Sequence, residues 1–351
     1  MTMLAEIVDV VIGVDTHKHT HTAAVIIAGT GSAVAEATVA ADPEGYRTLL
    51  ELAESHEGPR AWAIEGTGGY GAGLTRFLLE AGEQVIELDR PERARRRGGA
   101  KSDLLDALRA AREALSRTQL AQPRARGKRA ALSVLLAARR SAVEASGDAQ
   151  RQLDALVVTA PEILRSRFRG KSTLQMISTA TRLRIDGNWD HETKVTAGVL
   201  RALARRSKEL AKEAQTHEAA ILAVVRSWRP DLLAELGVGP IVAATVLCAW
   251  SHPGRCRNDG AFAKLGGAAP IPASSGMTNR HRLNRYGDRQ LNRALHTVVV
   301  CRLRHDPATR AYVERRLKEG KSHREIKRCL KRHVARQLYR LLENPVGLDT
   351  A

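Results

Sequence analysis

The first 120 residues alternate short apolar runs with amphipathic stretches in a fixed order, and that order leaves few folds open. IVDVVIGVD (7–15), HTAAVIIAG (21–29) and SAVAEATVA (32–40) read as three strands joined by tight turns. A helix is expected over 43–56, opened by Asp42-Pro43 as N-cap and first-turn pair. RAWAIEG (60–66) is a fourth strand, 69–81 a second helix closed by Gly82, and QVIELD (84–89) a fifth strand. The basic segment RARRRGGAK (93–101) then leads into a helix over 103–119 with Ser102 as its N-cap. Three antiparallel strands followed by alternating β and α predict a mixed sheet flanked by helices, an α/β domain over residues 1–120.

The remainder reads as all-α. AQPRARGKR (121–129) is a basic linker. Charged helical patterns over about 128–160 and 190–228 follow, separated by a polar stretch containing Gly187-Asn188. Helices of that length project or pair, so 121–228 is expected to be a long helical region suited to coiled-coil oligomerisation. The third part spans 229–351. Its DLLAELGVGPIVAATVLCAW (231–250) reads as helix, tight turn, helix, like a helix-hairpin-helix. The turn glycines Gly237 and Gly239 can offer backbone N–H groups to a phosphate, without reading sequence. The alternative is an ordinary helical hairpin in a core. Residues 264–295 look loop-rich, and helices are expected near 306–319 and 322–342. The last buries Ile326, Leu330, Val334, Leu338 and Leu341. Its basic side is either a solvated surface or a nucleic-acid contact.

Charge separates these parts. Residues 1–120 carry 13 basic and 18 acidic side chains, whereas 121–351 carry 43 and 20, for a net of +18 over the chain. Arginine outnumbers lysine by 44 to 12. GC-rich codon usage accounts for that ratio but not for the split along the chain. An acidic first part suits a cation-dependent site, and the basic remainder suits a polyanion. With aromatics at 3%, a broad base-stacking platform is not expected. No apolar run reaches membrane-spanning length, and MTMLAEIVDVV reads as the approach to a strand rather than a signal peptide. A cytoplasmic, nucleoid-associated protein is therefore expected. The four cysteines form no CxxC pair, so neither a zinc ribbon nor a disulfide framework is expected.

Four carboxylates carry the chemistry. Asp15 and Glu65 end the first and fourth strands, and Asp103 and Asp106 lie three apart at the start of a helix. Any one of them alone is an ordinary solvated surface group. Four converging carboxylates repel one another unless cations sit between them, which points to Mg²⁺ or Mn²⁺. A metal pair of that kind clamps the attacking and leaving oxygens of a phosphodiester. His17, His19 and His21 alternate and would share one strand face, a zinc-like pattern. A turn is expected inside this stretch, however, and a His-rich surface edge is the commoner outcome. His17 and Lys18, next to Asp15, are placed to touch a phosphate. Ser274-Ser275-Gly276 precedes Arg280, Arg282, Arg285, Arg289 and Arg293. These arginines would clamp a phosphate for a serine nucleophile. No general base is visible nearby, and SSG is also a common turn.

Together these residues resemble the DEDD transposases of the insertion-sequence one-ten family, which includes the Piv-type DNA invertases. VIGVDTHK, AIEGTGGYG and KSDLLDA are similar to that family's RuvC-like (RNase H-like) acidic motifs. LGVGPIVAATVLCAW, FAKLGGAAPIP, SSG and RLNRYGDRQLNRAL are similar to its C-terminal transposase domain. The resemblance covers nearly the whole chain. It implies a site-specific recombinase in which Asp15, Glu65, Asp103 and Asp106 bind Mg²⁺. It also implies that Ser275, with Ser274 as the fallback, forms a covalent phosphoserine–DNA intermediate. A structured noncoding (bridge) RNA as guide, and a homodimer or homotetramer around donor and target DNA, follow from the same resemblance. One departure is His19, where relatives of the THK pattern often carry Asp. Two rivals are a metal-dependent structure-specific nuclease with water as nucleophile and a catalytically inactive RNA- or DNA-binding scaffold.

Overall fold

The computed structural model describes residues 3–88, 102–272, 281–282, 284 and 286–344. They fall into two compact units, Met1–Ala125 and Arg126–Ala351.

The first unit contains β1 (Val10–Thr16), β2 (Thr20–Ile27), β3 (Ala33–Ala40), α1 (Pro43–Glu54), β4 (Arg60–Glu65), α2 (Ala72–Glu80), β5 (Val85–Leu88) and α3 (Asp103–Ser116). The strand order is β3-β2-β1-β4-β5. The first three strands pair antiparallel, and β4 and β5 add in parallel, as the apolar pattern implied. Strand β1 is central, so Val10 to Val14 are buried on both faces. Val10, Ile12 and Val14 pack with Leu49, Trp62, Leu74 and Leu78 on the α1/α2 side. Val11, Ala61 and Ala63 pack with Ala110, Ala111 and Ala114 of α3 on the other. Each fully buried aliphatic side chain contributes about 2 kcal/mol, so both faces hold the strand ends firmly. The expected caps are present: Asp42 accepts from the Gly45 N–H at 2.9 Å and Ser102 from the Leu105 N–H at 3.3 Å.

The start of β4 is tied to the turn before β5 by polar contacts. Arg60 donates twice to Glu83, at 2.9 and 2.7 Å, and the Trp62 indole N–H donates to the same carboxylate at 2.8 Å. Burial alone would raise the Glu83 carboxyl, but the bonds from Arg60 and Trp62 outweigh it and hold the group below the usual carboxylate range. A depressed folded-state value means the contribution is complete above the unfolded value and is lost as pH falls through the folded one. Glu83→Gln is therefore expected to cost about 2 kcal/mol at pH 7. In urea titrations across pH, the gap to wild type should close below about pH 4. A gap that stays constant into acid would contradict the ion-pair assignment.

The second unit is helical: α4 (Lys128–Thr159), α5 (Glu162–Arg165), α6 (Thr173–Thr181), α7 (His191–Trp228), α8 (Asp231–Ala234), α9 (Pro240–Trp250), α10 (Asp259–Leu265), α11 (Arg289–His305), α12 (Pro307–Lys318) and α13 (His323–Glu343). A short antiparallel pair, β6 (Ile271–Pro272) and β7 (His281–Arg282), precedes α11. Helices α4 and α7 run antiparallel against each other. Their buried positions, Ala142, Ser146, Ala149 and Leu153 against Ala197, Leu200, Ala204 and Ser207, recur every three or four residues and are mostly small. Small side chains let the two backbones approach, and Ser146 Oγ reaches the Ser207 carbonyl at 3.1 Å. One end of the pair shares a core with Val157, Leu164, Phe168 and Ile177. The other end, through Leu132, Ile221 and Val225, joins a core of α9, α10, α11 and α13.

Several local expectations change. The segment read as a polar separator holds α5 and α6. The stretch read as loop-rich through residue 295 contains the start of α11. The first helix of the 231–250 hairpin is the single turn α8. On α13, Leu342 is buried where Leu341 was expected; Leu341 only packs against the core margin. Among the described residues, no helix is long and apolar enough to cross a membrane.

Candidate metal centre

Strand alternation places Asp15 on the same face of the sheet as Val11 and Gly13, which is the face that α3 covers. Glu65 follows Ala61 and Ala63 on that face of β4. The β1/β4 register, Gly13↔Ala63 then Val14↔Ile64, brings Asp15 and Glu65 side by side where the two strands end. Thr16 Oγ1 donates to the Glu65 carbonyl at 3.0 Å and fixes these ends together.

Helix α3 reaches this point because β1 carries a glycine beneath it. A Cβ at Gly13 would lie 2.0 Å from the Ala107 carbonyl oxygen and 2.7 Å from the Ala111 nitrogen. Asp103 is one turn before Ala107, and Asp15 is two residues after Gly13. The close crossing therefore sets the distance between the two carboxylates. The turn after β1 is closed by the His17 N–H donating to the Thr20 carbonyl at 3.0 Å, and it brings the imidazole back over the strand end. His17 Nδ1 is 3.7 Å from Asp15 Oδ2 and 3.8 Å from Asp103 Oδ2. Among the described residues, the ligand atoms of Asp15, His17 and Asp103 all lie within 4.8 Å of one another.

Two carboxylates and one imidazole around a common point suit a divalent cation. The positive end of the α3 dipole also favours the Asp103 carboxylate at its first residue. Asp15 is 16% exposed at its side chain, whereas His17 and Asp103 are 44% and 51% exposed. The cluster is thus anchored on one side and open to a large substrate on the other.

The four carboxylates are not placed equally. Asp15 and Asp103 belong to the tight group. Glu65 stands at the neighbouring strand end and Asp106 one turn along α3, and neither is in that group. The Asp106 carboxylate accepts from Arg109 Nη1 at 2.7 Å. His17 enters the group, although the sequence favoured a surface edge for the three histidines. The turn expected inside this stretch falls over 17–20 and separates His17 from His21, so the three histidines share no face. His19 is exposed. His21 is 1% exposed, on the α1 side of β2, with its ring stacked on Tyr46 at 5.8 Å between centroids. Burial pushes the His21 imidazole below its usual pKa. The signal for His17 was its offset of two from Asp15, just where a turn folds the chain back.

In the second unit, Ser274, Ser275, Arg280 and Arg285 lie outside the described residues. The residues on either side of that segment pair, with Ile271 opposite Arg282 and Pro272 opposite His281. Arg282 is exposed. Arg289 and Arg293 are one turn apart on the outer face of α11. Gly237 has φ +88°, and a Cβ there would sit 3.2 Å from both Cys301 Cβ and the Val298 carbonyl. That glycine lets the turn lie against α11. Gly239 caps α9 with open space around it.

A family model described as the IS110 DEDD transposase matches residues 12–160, which include Asp15, Glu65, Asp103 and Asp106. A second, described as the transposase of the IS116/IS110/IS902 family, matches residues 231–314. The chain is also similar to the uncharacterized 42 kDa protein of insertion element IS900 from Mycobacterium paratuberculosis. The two are 27% identical over 337 residues, covering 82% of this chain and 84% of that one.

Proposed function

Because this chain belongs to the IS110 family of insertion-sequence transposases, we propose that it cuts and rejoins DNA with its acidic centre and a serine nucleophile. The observation that carries this reading is the meeting of Asp15, His17 and Asp103 at one point within the segment that matches a DEDD transposase. Family membership implies an enzyme that acts on DNA and uses a divalent metal. Mg²⁺ is the proposed ion, held by Asp15, His17 and Asp103, with Glu65 and Asp106 flanking. When bound, such an ion neutralises charge on the phosphodiester and polarises its oxygens.

Ser275 is the proposed nucleophile. Its Oγ forms a bond to phosphorus as the bond to one deoxyribose oxygen breaks. The proton lost by the serine is matched by the one the leaving deoxyribose oxygen takes up. The phosphoserine ester retains the energy of the broken linkage, so attack by a second strand's hydroxyl rejoins DNA without another energy source. Arg282, Arg289 and Arg293, with Arg280 and Arg285, supply positive charge for the transferred phosphate. The excess of 43 basic over 20 acidic side chains after residue 120 supports two polyanionic partners, DNA and a guide noncoding RNA. Assembly as a homodimer or homotetramer on the DNA is part of the same proposal.

A nicked suicide DNA substrate tests the nucleophile. Wild type should give a denaturation-resistant protein–DNA adduct, and Ser275→Ala should give none, while Ser274→Ala retains it. Normal cleavage by Ser275→Ala would instead identify water as the nucleophile and leave a metal-dependent nuclease. The same preparation should carry structured RNA; strand exchange unchanged by RNase treatment would remove the guide.

A further inference from the structure

The second unit holds a cavity of about 620 Å³ that the metal centre does not use. One wall is the small-residue run 267–270, which leads directly into β6. Residues of α12 and α13 line it as well, together with Arg282 of β7. Pro270 and Arg282, described residues on either side of positions 273–280, both line the cavity.

Its charge is one-sided. Among the described residues, six arginine and lysine side chains line it, against one carboxylate, Glu325. Glu325 is engaged at the start of α13, where it accepts from the Ser322 N–H at 2.9 Å. Two of the cations are held by acids outside the cavity: Arg332 donates to Asp259 at 3.2 Å, and Arg316 pairs with Glu319. Arg282, Lys321, Arg328 and Lys331 make no ion pair among the described residues. Lys331 is half-buried, and its ammonium donates to Asn292 Oδ1 at 3.0 Å. Burial lowers its pKa, as expected for an ammonium lacking a counter-anion. Glu325 offsets part of this charge through Arg328 and Lys321, but a concave site where cations still outnumber acids suits an anion larger than a single inorganic ion.

We propose that this cavity is a backbone-phosphate subsite for the DNA strand beside the serine segment, with Arg282, Arg328 and Lys331 contacting the phosphate. The inference rests on the transposase reading above, since it places the transferred strand at the segment whose flanks the cavity supports. DNA is favoured over RNA on that ground.

The test uses the full chain, freed of copurifying nucleic acid, with a short DNA duplex and an RNA of equal length as probes. The double variant Arg328→Gln/Lys331→Gln should bind DNA about tenfold more weakly at near-physiological salt. Its slope of log affinity against log salt should fall by about two. Arg324→Gln, on the same helix but outside the cavity, should change the slope by less than half as much. In wild type, DNA should shield Lys331 from an amine-acylating reagent read by mass spectrometry, which decides the matter even if the double variant misfolds. Unchanged DNA affinity with unshielded Lys331 would overturn the subsite, as would a loss confined to RNA. A wild-type chain that binds no DNA at all would instead remove the transposase reading beneath it.

Discussion

Asp103→Asn is expected to abolish strand cleavage while DNA binding persists. Asp103 is the exposed half of the carboxylate pair that His17 bridges, so asparagine removes a ligand charge without removing bulk. Ser102 still caps α3, and Ala107, Ala110, Ala111 and Ala114 still bury its inner face, so the helix itself should stay in place. Loss of one anionic ligand from a metal clamp costs several kcal/mol of transition-state stabilisation. That corresponds to a rate loss of about a thousandfold. Single-turnover cleavage of a radiolabelled duplex measures the rate, and filter binding measures affinity. DNA affinity rests mainly on the basic second unit and should change by less than about twofold. Cleavage at the wild-type rate would show that Asp103 is not in the centre.

Gly13→Ala tests the architecture beneath that centre. The added methyl would meet the backbone of α3, at Ala107 and Ala111, rather than a flexible side chain that could swing away. The helix must lift, and with it go the packing of Ala111 and the placement of Asp103. A loss of about 3 kcal/mol is expected in denaturation of the first unit. Divalent-ion affinity should fall with it, although no ligand has been altered. A variant as stable as wild type with unchanged ion affinity would show that the crossing does not set the site.

These two positions also show what the sequence could reveal. Strands and helices of the first unit were legible because each has its own period and punctuation, as with Asp42-Pro43 before α1 and Ser102 before α3. The positions of Asp15 and Glu65 at adjacent parallel strand ends followed from that order. Gly13 was not legible as a crossing point, because a glycine in a strand gives no sign of which helix lies above it. A turn was expected among His17, His19 and His21, but its place, and so which histidine it returns to Asp15, was not legible. The turn that separates them depends on a single backbone bond from His17 to Thr20. In the second unit, Asp288 caps α11 by accepting from the Gln290 and Leu291 N–H groups. The apolar series Leu291, Leu295, Val298 and Val299 was present, but the glycines and arginines before it dominated the local pattern. The cavity of α12 and α13 was hidden for a different reason: its cations come from separate elements, and their excess over the acids near them is a property of the fold.

The most direct measurement is the anomalous difference density of a crystal grown with Mn²⁺. A peak is expected at the end of β1, within coordination distance of the Asp15 and Asp103 carboxylates and His17 Nδ1, and it should vanish in Asp103→Asn crystals. Full Mn²⁺ exposure with no peak there, or a peak that persists unchanged in the variant, would contradict the metal centre.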